Sequence, residues 1–116
     1  MKKHLLIVIV STSILIFSNC SGSKKVATAA PKSTYESNIQ TLVMSNCSPC
    51  HIPAKGGKIK AYDNFANVKS DIDEIIRRVE LNPGDKGFMP FKHPKLSDST
   101  IMVFKQWKAD GMLEKL

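Results

Sequence analysis

Cys47-Ser48-Pro49-Cys50-His51 is the stretch that decides how this chain is read. Two thiols three positions apart can each add across one vinyl group of a porphyrin. The imidazole that follows directly is then held beneath the iron. The pentapeptide therefore reads as a covalent attachment site for c-type heme, with Cys47 and Cys50 as thioether positions and His51 as an axial iron ligand. Such a cysteine pair has three other uses. A thioredoxin-like redox couple wants a βαβ surrounding, and no such alternation occurs in the sequence. A tetrahedral zinc site needs two further ligands, for which Cys20, far upstream, and His93 are what the chain offers beyond its apolar start. A disulfide across so short a loop would remove little chain entropy.

One histidine leaves the other face of the iron open, and Met89 is the candidate to fill it. It stands in Gly87-Phe88-Met89-Pro90, an irregular loop from which a side chain can reach a fixed iron without belonging to a helical face. A thioether is soft and neutral and favours ferrous iron, so a His/Met pair raises the reduction potential. Pro90 stiffens the loop that presents the sulfur. Methionines ordinarily fill gaps in cores, which is the role expected of Met44, Met102 and Met112. His93 is the competing ligand, four residues along the same loop, and is otherwise a surface residue.

The N-terminus points to export. Lys2 and Lys3 precede an apolar stretch, Leu5 to Phe17, that has the length of a signal h-region and is short for a membrane span. Phe17-Ser18-Asn19-Cys20 follows, and a lone cysteine at the end of an h-region resembles a lipoprotein processing site. Residues 1–19 are accordingly expected to be a signal peptide and Cys20 the lipidated first mature residue, anchoring an exported protein to a membrane on the periplasmic side. A soluble periplasmic protein is the alternative. The lipobox match is imperfect, because Phe17 and Asn19 stand where leucine and a small residue are usual. Residues 20–32 carry small, polar and lysine side chains with Gly22 and Pro31 and read as a flexible linker, able to reach about 40 Å when extended.

About a hundred residues are left after the signal, enough for one small domain at 33–116. Domains of this size often need a staple, and a covalently held porphyrin would serve. The chain has 17 Lys and Arg against 10 Asp and Glu. Loss of Lys2 and Lys3 would leave a net charge of about +5. The excess is too diffuse for nucleic acid and fits anionic lipid or an acidic protein partner better.

The periodicity within the domain is helical throughout. Ser33 and Glu36 make a capping-box signature, followed by Tyr35, Ile39, Leu42 and Val43 on one face. Residues 52–60, with Pro53, Gly56 and Gly57, read as a loop. Tyr62, Phe65 and Val68 predict a short helix. Ser70 is expected to cap another, with Ile72, Ile75, Ile76 and Val79 inward and Arg77 and Arg78 on the wet side. Asn82-Pro83-Gly84 stops it. Ser97 or Asp98 begins a last helix with Ile101, Phe104 and Trp107 inward, ended by Gly111. The domain is expected to be all-α.

Taken together, the heme motif after a first helix, the Met89-Pro90 loop, and Leu96-Ser97-Asp98 leading into the helix with Trp107 resemble a small monoheme class I cytochrome c, over 33–116. The resemblance implies three to five helices around one covalently bound heme, with the first and last crossing so that Tyr35, Ile39 and Val43 meet Phe104 and Trp107. It implies His51 and Met89 as axial ligands. It also implies a proline carbonyl that accepts the His51 ring N–H, for which Pro53 is the available residue, although it lies closer to the histidine than is usual. Ile52 stands where many bacterial members carry glycine.

An iron with both axial positions filled by protein exchanges electrons and has no vacancy for a substrate. The expected function is thus electron transfer by a tethered carrier that is not an enzyme. Two alternatives are a heme-based sensor whose Met89 ligand is displaceable and a fixed heme subunit of a respiratory complex. Lys55, Lys58, Lys60, Lys86, Lys92 and Lys95 flank the heme motif and the Met89 loop, where they could steer docking onto an acidic partner, pair with heme propionates, or simply solvate loops.

Overall fold

Thr34, not Ser33, opens the first helical element of the computed structural model, which describes residues 30–116. The signal peptide, Cys20 and most of the linker lie outside the described residues. The Thr34 hydroxyl accepts the Ser37 N–H at 3.2 Å, and the Asn38 amide oxygen accepts the Thr34 N–H at 3.0 Å. This reciprocal cap displaces the expected Ser33–Glu36 pair because Ser33 is taken elsewhere: its N–H donates to Asp110 Oδ2 at 2.7 Å. A π-helical segment, Tyr35–Ile39, continues into α1, Gln40–Asn46. A 3₁₀ turn, Pro53–Lys55, follows the Cys-x-x-Cys-His stretch. Then come α2 (Phe65–Ser70), α3 (Ile72–Glu80) and α4 (Asp98–Ala109). There is no strand among the described residues, and none of their helices is long and apolar enough to cross a membrane.

The middle helices begin at other residues than their patterns suggest. Tyr62 precedes α2, which is capped by Asn64, whose side-chain oxygen accepts the Asn67 N–H at 2.9 Å. Ser70 closes α2 instead of capping α3, and its hydroxyl donates back to the Asn67 carbonyl. Asp71 is left as the hinge between the two helices, its carboxylate free to bond elsewhere. Ser97 caps α4 as expected, accepting the Thr100 N–H.

The core unites the two ends of the domain. Tyr35, Ile39 and Val43 pack with Ile72, Ile75, Phe104 and Trp107, and Trp107 is fully buried. Burying each of these large side chains is worth roughly 1.5–3 kcal/mol. Polar groups lock the same seam. The Leu113 carbonyl accepts both the Tyr35 N–H at 2.9 Å and the Trp107 indole N–H at 2.8 Å. The chain after α4 thereby satisfies N–H groups that the first turn of a helix cannot pair internally. Ion pairs of Lys105 with Glu80 and Lys108 with Asp73 tie α4 to α3. Met44 and Met112 pack against the core, whereas Met102 is solvent-exposed and fills no gap.

Candidate functional site

Cys47 terminates α1, its N–H still bonded to the Val43 carbonyl at 2.8 Å. The next residues make one further turn, in which the His51 N–H donates to the Cys47 carbonyl at 3.0 Å. That i to i+4 bond puts Cys47 and His51 on the same side of the turn, while Cys50 is exposed. Cys47 and His51 both line a largely apolar cavity of about 350 Å³ between α1, α3 and α4, within the size range of small-molecule and cofactor sites.

Met89 lines the same cavity from the opposite end of the sequence. Its loop is fixed by the Met89 N–H donating to the Arg78 carbonyl near the end of α3, at 3.2 Å, and by buried Phe88. Lys95 secures the base of the loop, its ammonium donating to the Glu80 carbonyl at 2.7 Å. His93 is exposed and lies outside the cavity that holds Cys47, His51 and Met89.

The His51 ring has a defined tautomer. Nδ1 stands 2.6 Å from the Lys60 carbonyl oxygen. A carbonyl can only accept, so Nδ1 carries a proton and Nε2 is the ring nitrogen left outside that bond. This corrects the expectation for Pro53. The 3₁₀ turn carries Pro53 to the exposed outer side of the loop, and the chain returns to the imidazole only at Lys60. Tyr62 completes the return, its N–H donating to the His51 carbonyl at 2.8 Å and its ring stacking on the imidazole.

The donor set bears on the competing uses of the cysteine pair. Both thiols are free, without a disulfide between them. Burial pushes the Cys47 thiol up to about 11, whereas redox and zinc-binding cysteines work as thiolates. No group of three or more metal-ligating side chains occurs among the described residues. Free thiols at Cys47 and Cys50, an imidazole oriented through Nδ1, and a thioether that shares one apolar cavity with Cys47 and His51 are donors of the kind a covalently held heme requires.

Several site residues escaped the sequence reading. Arg78 is not merely on a wet face: it lines the cavity and, with Arg77, chelates Glu74, the Arg78 Nε–Glu74 Oε1 distance being 2.6 Å. Asp71 also lines the cavity and binds Lys60 and Tyr62. Gly57 lies against the backbone of Cys50 and Pro49. The Gly56-Gly57 pair in the loop after the motif was the one signal that pointed to such an approach. Of the six flanking lysines, Lys60 and Lys95 are engaged internally, and Lys55, Lys58, Lys86 and Lys92 are exposed. No protein-family model, curated protein or solved structure matches this chain.

Proposed function

We propose that this protein is a monoheme c-type cytochrome, built on a small cytochrome c fold, that passes single electrons between redox partners at a membrane surface. One observation carries the reading: Cys47, His51 and Met89, far apart in sequence for the last of them, line one apolar cavity, and the His51 Nδ1–H is already committed to a backbone carbonyl. Cys47 and Cys50 would hold the heme by thioethers, and His51 and Met89 would ligate its iron. Heme supplies one-electron chemistry between ferric and ferrous iron. The chain's own residues do the rest. The Lys60 carbonyl orients the imidazole, and the apolar walls from Ile75, Val79 and Phe104 keep water out. The Met89 loop is pinned to α3 through the Arg78 carbonyl and would hold its sulfur in one place beside a bound heme. Export, a lipid on Cys20 and a swinging linker would set the domain above a membrane. Exposed Lys55, Lys58, Lys86 and Lys92 would steer it to acidic partners.

The test is the visible and near-infrared spectrum of the oxidised protein after maturation with heme. A Met–iron charge-transfer band that disappears in Met89→Ala is the expected result. A high-spin parent that binds carbon monoxide readily when reduced would overturn the electron-carrier reading and leave a ligand-binding heme protein.

A further inference from the structure

His51 is held from two sides by residues outside any helix. Its Nδ1–H donates to the Lys60 carbonyl, and its ring stacks on Tyr62 with centroids 4.5 Å apart and planes inclined by 14°. Lys60 and Tyr62 lie in the irregular stretch between the 3₁₀ turn and α2, where no helical hydrogen-bond ladder fixes the backbone. Both are gripped by Asp71. One carboxylate oxygen takes the Lys60 ammonium at 2.5 Å, and the other accepts the Tyr62 hydroxyl proton. The Asp71 side chain is 14% exposed and that of Lys60 59%, so the carboxylate at the α2–α3 junction is the anchored end and the lysine the tethered one. Burial raises the Asp71 pKa, but the bonds from Lys60 and Tyr62 outweigh it and hold the group below the ordinary carboxylate range.

Resting on the heme reading above, we infer that Asp71 is a positioning residue for His51. By gripping Lys60 and Tyr62 together it fixes the carbonyl that takes the ring proton and the ring that lies against the imidazole face. A hydrogen bond on the far nitrogen makes an imidazole a stronger donor to its metal, which favours ferric iron and lowers the potential. Releasing the clamp therefore raises it.

Charge alone makes a different pattern. Removing the negative Asp71 raises the potential of a nearby heme by Coulomb's law, but removing the positive Lys60 lowers it. Loss of positioning raises it in both cases. The experiment measures the midpoint potential of the heme-loaded full chain as Asp71→Asn, Lys60→Met and Tyr62→Phe. Solvent exchange of the His51 Nδ1–H is followed by NMR in the reduced state. Upward shifts in all three variants, with faster exchange of that proton, are expected. Opposite shifts for Asp71→Asn and Lys60→Met with unchanged exchange would overturn the inference. So would unshifted potentials in variants of a parent that carries heme on Cys47 and Cys50. A parent that attaches no heme overturns the functional reading itself and the inference with it. Tyr62→Phe keeps the stacked ring and removes one hydroxyl, so it decides the matter if Asp71→Asn does not accumulate.

Discussion

Replacing Gly57 with alanine tests whether the loop after the cysteine motif is packed as tightly as its geometry requires. A Cβ at this position would lie 2.6 Å from the carbonyl oxygens of both Cys50 and Pro49 and 2.8 Å from the Ile52 nitrogen. Ordinary contact begins at 3.4 Å, and all three neighbours are backbone atoms that no rotamer change can move. Relief must therefore come from shifting the Cys50–Ile52 turn or from breaking the Gly57 N–H bond to the Ile52 carbonyl, 3.1 Å long. Overpacking typically costs 1–3 kcal/mol, and with rigid neighbours on three sides the upper end, about 3 kcal/mol, is expected. Gly56 is the internal control. Its φ of 86° disfavours a side chain, but nothing lies within 4 Å of its Cβ position, so Gly56→Ala should cost only about 1 kcal/mol. Urea unfolding of the heme-loaded proteins, followed by far-ultraviolet circular dichroism, measures both. The same samples report the fraction of chains carrying heme, which should fall in Gly57→Ala because the shifted turn holds Cys50 and His51. Equal midpoints and equal heme content for the two variants would refute the packing argument.

Three further outcomes follow from the same geometry. Trp107→Ala removes a fully buried ring that packs with Tyr35 and Phe65 and should cost about 3–5 kcal/mol in urea unfolding; Trp107→Phe, which gives up mainly the bond to Leu113, should cost about 1 kcal/mol. Hydrogen bonds from Arg77 and Arg78 hold the Glu74 carboxyl down at about 2. A depressed carboxylate pKa stabilises the folded state fully above the unfolded value of about 4.5 and loses that contribution as pH falls towards 2. Glu74→Gln should flatten the acid limb of stability in that window, more visibly at low salt because the group is partly open to solvent; acid limbs that run parallel would contradict it. Cys20→Ser should move the protein from membranes to the soluble fraction, and a variant that stays membrane-bound after normal signal cleavage would end the lipid-anchor proposal.

The helices were legible because their information is local. Ile72, Ile75 and Val79 recur at helical spacing and all three are buried, and Ser97 caps α4 from the residue next to it. Periodicity put Tyr35, Ile39 and Val43 on one inward face and Phe104 and Trp107 on another, and these residues share one core; that the two faces meet was implied by the resemblance and not by the spacing. The cap misplaced on the first helix has a long-range cause. Ser33 carries as good a cap side chain as Thr34, but a carboxylate 77 residues away takes its N–H, and no local pattern encodes that bond. Arg78 read as solvated because it is a charged residue next to Arg77, while the loop before Met89 brings the Gly87 carbonyl to its guanidinium.

By itself, the sequence determined the order of the helices, their inward faces, and the chemistry expected of Cys47, Cys50, His51 and Met89, since donor type and adjacent spacing are properties of the chain. Tertiary structure alone decided that Cys47, His51 and Met89 line one cavity, that Lys60 and not Pro53 supplies the carbonyl for His51, and that Asp71 pairs with the Lys60 ammonium. The reason is physical. A helix repeats its dihedral angles and so can be counted from its residues. The path of the loop from Ile52 to Tyr62 depends on where Gly57 meets the motif backbone and where Asp71 waits between two helices, and those positions exist only once the core has closed.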